Sequence, residues 1–215
     1  MKKISIILLS VFFILCTNAK VQAQFIKIGV GGGLTNITGP DELTKDVSEG
    51  GLGFSTEYNL AAIGKINLPL IPLTPRALVI YNKLSGDGSS EIPLNKGTNV
   101  TSINYEFSQS ILSLGVGVQY GFIPIPVGID PYLSVDLMFN NFGDFTITED
   151  GIETTENGIS RTGLQFGLGA EVSIIPSINL DVFAGYHLFN MFGKDEGEET
   201  IRAINLDLFL MFNFL

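Results

Sequence analysis

Leu112-Ser113-Leu114-Gly115-Val116-Gly117-Val118-Gln119-Tyr120-Gly121 sets a bulky apolar side chain at every even position and a small or polar one at every odd position. A repeat of two is the period of a β-strand, whose successive side chains point to opposite faces. Glycine weakens a strand interior, so Gly115 and Gly117 on one face mark a place that something approaches closely. One face is greasy and the other is small. A chain crossing a bilayer as strands must meet hydrocarbon on one side and close its backbone hydrogen bonds into a ring.

The alternation recurs, and eight strands are expected. Residues 25–35 carry Ile26, Ile28, Val30 and Leu34 on the apolar face. Residues 51–60 carry Leu52, Phe54, Tyr58 and Leu60, with Gly51, Gly53, Ser55, Glu57 and Asn59 opposite. Residues 76–84 set an apolar face of Leu78, Ile80 and Leu84 against Ala77, Val79, Tyr81 and Lys83. The fourth strand, 103–121, contains the opening stretch, but its early residues Ile103, Tyr105 and Phe107 have the opposite parity. A bulge near residues 108–110 is expected to reconcile the halves, because one extra residue flips the faces. The remaining strands are 132–142, 161–174, 179–189 and 201 to the end. The last aligns Ile204, Leu206, Leu208, Leu210, Phe212 and Phe214.

Connections alternate in kind. Residues 41–50, 87–96, 144–156 and 194–199 form polar loops carrying −3, −1, −5 and −3. The intervening connections are apolar and hold prolines: I-N-L-P-L-I-P-L-T-P at 66–75, F-I-P-I-P-V-G-I at 122–129 and I-I-P-S-I at 174–178. All long acidic loops therefore gather at one end of the strands and the tight turns at the other. Proline at these turns removes no ladder donor.

Residues 1–23 read as a secretory signal: Lys2 and Lys3, an apolar run over 4–15, and Val21-Gln22-Ala23 at the usual cleavage spacing. The mature chain is expected to start at Gln24, leaving a single barrel domain over 24–215. Cys16 is the only cysteine and leaves with the signal, so no disulfide, thiol nucleophile or cysteine metal site is expected. The preceding Leu15 does not suit a lipoprotein signal. Without Lys2, Lys3 and Lys20 the net charge moves from −10 to −13. Nucleic acid is not an expected partner, since phosphate binding needs clustered Lys and Arg.

Alternation alone does not say which face points inward. In a soluble, lipocalin-like binding barrel the apolar side would line the interior. Here the opposite face is rich in Gly, Ser and Asn and poor in the charges a solvated face carries. Phe54, Tyr58, Tyr120, Phe139, Tyr186, Phe212 and Phe214 fall near strand ends, where interfacial girdles sit. The membrane barrel is the better reading, with apolar side chains outward.

With its signal, eight alternating strands, long loops at one end and the closing strand L-D-L-F-L-M-F-N-F-L at 206–215, the chain resembles the small outer-membrane β-barrels of the OmpA/OmpX-like type. The resemblance implies an all-β, eight-stranded antiparallel up-and-down transmembrane barrel in a Gram-negative-type outer membrane. It also implies contact with outer-membrane lipid and lipopolysaccharide, and recognition of the last strand by the barrel-insertion machinery. The usual closing strand ends in Phe, whereas here Phe214 is penultimate and Leu215 last. A monomer is expected.

An eight-stranded lumen is filled by side chains, so inward charges should pair. Lys27, Glu57, Asp136, Arg161, Glu171, Asp181, His187 and Asp207 share the polar-face parity and are expected to form a buried network. Lys27 and Glu57 are expected at similar depth on the first hairpin. His187 is the only histidine, which excludes a multi-histidine metal site. Barrels of the lipid A palmitoyltransferase and deacylase types pair a histidine with a serine; Ser134, Ser160 and Asp136 are available, but no spacing selects them. Packing is the better account of His187, and no catalytic residue is assigned. The acidic loops do not match an EF-hand, and Gly29 to Gly33 lacks the Lys and helix start of a phosphate loop. Neither a cofactor nor a metal is expected. The expected role is a non-enzymatic structural or surface-interaction protein. A narrow pore for small solutes is the nearest alternative, and a lipid-modifying enzyme comes after it.

Overall fold

The computed structural model describes residues 25–54, 56–68, 71–93, 100–122 and 128–214. The expected signal and its cleavage point lie outside them. Ten strands follow in chain order: β1 Phe25–Gly39, β2 Thr56–Asn67, β3 Leu73–Pro93, β4 Val100–Gly121, β5 Ile129–Phe142, β6 Phe145–Glu149, β7 Ile152–Glu156, β8 Ser160–Ile175, β9 Ile178–Phe192 and β10 Arg202–Phe214. A single-turn helix, α1 (Asp41–Thr44), and a 3-10 turn at Val47–Glu49 fill the first loop.

Eight of these strands close into a ring. Neighbours run β3-β2-β1-β10-β9-β8-β5-β4, and β3 pairs with β4 to complete the circuit. β1 meets β10 from Ile26↔Phe214 to Ile37↔Ala203, which ties the first strand to the last. Every ring strand then has two antiparallel neighbours, and none is left as an edge in lipid. β6 and β7 are outside the ring; they form a hairpin that pairs with β4 at Tyr105–Ser108.

The outward face carries the apolar side chains. Ile26, Ile28, Val30, Leu60, Leu114, Val116, Val118, Leu133, Val135, Leu168, Val182, Leu206, Leu208 and Leu210 are all exposed. From Leu112 to Phe122, at about 3.4 Å per residue and a tilt near 40°, this belt rises about 25 Å, the height of an outer-membrane hydrocarbon band. Tyr58 and Tyr81 mark its loop-end border, and Tyr120, Phe122, Phe212 and Phe214 its turn-end border.

Three local expectations change. The second strand starts at Thr56, not Gly51: Gly53 takes φ +66°, the preceding segment folds against α1, and Phe54 is buried inside instead of joining a girdle. In β3 the faces are the reverse of those expected. Leu78, Ile80 and Leu84 are buried in the barrel, while Val79 and Tyr81 are exposed. Both faces of that stretch are apolar, so period alone did not distinguish them. No bulge interrupts β4 near residues 108–110, because its register with β3 runs unbroken from Leu73↔Tyr120 to Pro93↔Val100. Phe107 and Ile111 point inward on the same parity as Ser113 and Gln119. The register shifts lie elsewhere, in β8 between Thr162 and Leu164 and between Ser173 and Ile175, and in β1 between Ile37 and Gly39.

The acidic loops are also more ordered than their composition implied. β3 and β4 pair with each other well past the point where β2 and β5 leave them, so their hairpin stands above the ring. Residues 94–99 at its tip lie outside the described residues. The loop read as 144–156 is the β6–β7 hairpin. Under this superstructure sits an apolar cluster of Ile37, Phe54, Leu84, Phe107, Ile111, Phe142, Phe189 and Ala203. Phe145 stacks on Phe107 with centroids 6.2 Å apart and meets Phe54 edge-on at 6.5 Å. The cluster caps the loop end of the barrel.

Candidate functional site: the barrel interior

Toward the turn end, the strands bring charges of both signs into the lumen. Lys65 is fully buried, its Nζ 2.5 Å from Asp181 Oδ2 and 3.4 Å from Glu171 Oε2. Lys27 and Asn179 both donate to Glu171 Oε1. Tyr132 donates its hydroxyl proton to Asp181 Oδ1 at 2.7 Å, and its ring lies under the Lys65 ammonium at 4.7 Å. Arg76 grips Asp136 with two hydrogen bonds of 2.7 and 2.5 Å and lies over the Phe183 ring at 4.7 Å. A planar guanidinium matches a carboxylate in this two-point manner and stacks on aromatic faces.

Glycines on neighbouring strands make the room. A Cβ on Gly117 would come within 2.3 Å of Asp136 Oδ1, and one on Gly169 within 2.5 Å of the Tyr132 hydroxyl. The small face of the strands is the imprint of large side chains crossing the lumen. Among these, Ile63, Leu78, Ile80, Met138, Phe183, Phe209 and Met211 join Tyr132 in a second apolar cluster.

Further toward the loops the lining is polar and mostly neutral. Thr35 donates to Asn82 at 2.6 Å, and Asn59 donates to Thr35 at 3.0 Å and to Asp207 at 2.8 Å. Gln165, His187 and Asn205 are also fully buried there. At the rim, Arg161 binds Glu198 through Nε and Nη2 at 3.1 and 2.8 Å and Asp195 at 2.6 Å. Asn190 donates to Glu198 and accepts the Ile201 amide proton. The Arg161 hydrogen bonds hold the Glu198 carboxyl down to about 2, well below its usual value.

Of the eight lumen residues expected, Lys27, Asp136, Glu171 and Asp181 sit in the charged turn-end layer, with Asp207 in the layer above. Glu57 does not meet Lys27. Lys27 stands opposite Lys65 at the turn end, whereas Glu57 stands opposite Thr35 near the loops and accepts from Ser85. Arg161 clasps the β9–β10 loop at the rim instead of entering the lumen. Among the described residues neither ring nitrogen of His187 has a hydrogen-bond partner, and the ring stacks on Phe189 with centroids 3.8 Å apart. Ser160 lies exposed at the start of β8, and Asp136 is taken by Arg76. No histidine–serine hydrogen bond forms among the described residues.

Sequence reasoning missed Lys65 and Arg76. Lys65 lies beyond the expected end of the second strand, though on its polar parity. Arg76 shares the parity of Leu78 and Ile80, which pointed the wrong way. The available signal was charge balance: five carboxylates of polar-face parity against Lys27 and Arg161 require further buried cations.

A ring of eight antiparallel strands, apolar outside and ion-paired within, is the geometry of a transmembrane barrel. The family described as outer membrane protein beta-barrel domain matches residues 7–214. This chain belongs to that family. Its membership supports a place in the outer membrane. Among solved structures, the barrel is similar to Neisserial surface protein A, with 15% identity, TM-score 0.52, and 89% of this chain and 97% of that one covered. It is also similar to Ail, the attachment invasion locus protein of Yersinia pestis, with 11% identity, TM-score 0.53, and coverage of 90% and 100%. At these identities the likeness concerns the fold. No curated protein matches the chain.

Proposed function

We propose that this outer-membrane barrel is a non-enzymatic structural and surface-interaction protein that works through its loop end. The observation that carries the reading is the folded superstructure there: the raised β3–β4 hairpin, the β6–β7 hairpin and α1, packed on one apolar cap. A loop end with its own core presents a fixed surface, which suits recognition. The lumen supports the same reading, because it is crossed by the Lys65–Asp181 and Arg76–Asp136 pairs and filled by two apolar clusters. Export through cleavage after Ala23, lipid and lipopolysaccharide around the belt, and insertion through β10 complete it. Ail is solved with the heparin analogue sucrose octasulfate. The acidic loops here argue against a polyanion as partner for this chain.

Deletion of residues 144–156 tests the reading. The shortened protein is expected to insert, to keep its heat-dependent gel shift and to lose surface adhesion; unchanged adhesion would overturn the role. Planar-bilayer recordings are expected to be silent, and steady unitary conductance would favour the pore. His187→Ala is expected to leave lipid A acylation unchanged by mass spectrometry, and an altered acyl pattern would favour the enzyme.

A further inference from the structure

At the loop end an apolar cavity of about 320 Å³ opens between the first loop, the raised hairpin and the β6–β7 hairpin. Leu43, Leu52, Phe54, Ile111, Phe142 and Phe145 line it, and Glu156 with Asn157 forms part of its edge. A water-exposed apolar hollow of this size lies at the small end of ligand pockets and accommodates one bulky anchoring side chain. Its electrostatic setting is acidic on balance, the first loop carrying −3 and the 144–156 hairpin −5. Lys45 is engaged by Asp41 and Arg161 by Asp195 and Glu198, while Arg202, next to Ile201 of the lining, is a neighbouring cation without a salt bridge among the described residues. Glu156 at the edge and Glu42 beside Leu43 are exposed and carry no salt bridge among the described residues. An apolar socket within an acidic border is complementary to a bulky apolar side chain flanked by positive charge.

We infer that this cavity receives an aromatic or large aliphatic side chain from a cationic peptide segment. The inference rests on the surface-interaction reading and gives it a partner chemistry. The burial of the anchor holds the segment, and the carboxylates select its charge and speed its approach.

The chain contains no tryptophan, so a tryptophan peptide reports its own environment. The amidated peptide Lys-Trp-Lys is titrated into the folded protein in nanodiscs of zwitterionic lipid. A saturable blue shift of its emission is expected, absent on empty nanodiscs and absent for Glu-Trp-Glu. The double variant Glu42→Gln/Glu156→Gln is expected to weaken binding about tenfold at low salt. Leu52→Phe, which fills the cavity, is expected to abolish the shift. Should Leu52→Phe fail to fold, the exposed charge variant decides alone. No saturable shift, equal binding of Glu-Trp-Glu, or full affinity in the charge variant would overturn the inference. Loss of the peptide effect while the 144–156 deletion still lowers adhesion overturns this inference only. Peptide binding with adhesion untouched by the deletion overturns the broader reading only.

Discussion

The β3–β4 hairpin carries two opposite patterns on one unbroken register. From its turn end to Tyr81↔Leu112 the outward side chains are apolar: Val79, Tyr81, Leu112, Leu114, Val116 and Val118. Two pairs further, at Lys83↔Ser110, the outside becomes polar and stays so through Ser85, Asp87 and Glu106. On β4 the inward face changes the other way, from Gly117, Gln119 and Ser113 to Ile111 and Phe107, while on β3 it holds apolar side chains in both halves, at Leu78 and Ile80 below and Leu84 above. The backbone does not register the change. What differs is the medium outside, hydrocarbon for the lower half and water for the upper, so each half places its apolar side where water is absent. The reversal of parity that suggested a bulge is a change of solvent along a regular strand.

Substitutions can break this contrast. The largest effect is expected inside the lower half. Lys65→Ala leaves Asp181 without its buried cation and Glu171 with Lys27 alone, and should cost about 3–5 kcal/mol, seen as a lower urea midpoint in lipid vesicles. An unchanged midpoint would mean that the charged layer does not hold the barrel. On the lipid side, Val116→Arg near mid-belt should cost about 2–4 kcal/mol in the same assay. Its counterpart above the border is Phe107→Ala, which should cost the cap about 3 kcal/mol. Faster proteolysis of the loop end is expected there, while the heat-dependent gel shift of the ring persists.

The rim clasp sharpens the contrast through pH. Glu198 has a folded-state value near 2, below its ordinary 4.5, so its contribution is complete above about pH 4.5 and is lost as pH falls toward 2. The protection of the Ile201 amide from hydrogen exchange, relative to its intrinsic rate at each pH, is expected to fall through that window in the native chain and to be already lowered in Glu198→Gln. The smallest effect is expected for Glu106→Arg, outward on the same strand as Val116 but in water, at no more than about 0.5 kcal/mol. A penalty comparable to that of Val116→Arg would place the border above Glu106.

Much of this arrangement was legible in the sequence. Strands with one strictly greasy face, such as Leu112 to Tyr120 and Ile204 to Phe214, declared both their period and their outward side, because lipid accepts nothing else there. Period failed where both faces are apolar, as in β3, whose Leu78 and Ile80 meet the lumen core while Val79 and Tyr81 meet lipid. The partners of the inward charges were not legible. Lys65 and Asp181 are 116 residues apart, and only the register of the closed ring brings them together.

By itself the sequence determined the ring: eight alternating strands, the end that bears the acidic loops, and the hydrocarbon side of most of them. These follow from local rules, since a strand's period and the exclusion of polar groups from lipid act residue by residue. Only the tertiary structure decided which charges pair within the lumen and that Phe54, Phe107 and Phe145 form a roof. Those outcomes depend on which strands become neighbours across the ring, and no local pattern encodes the distance between residues so far apart along the chain.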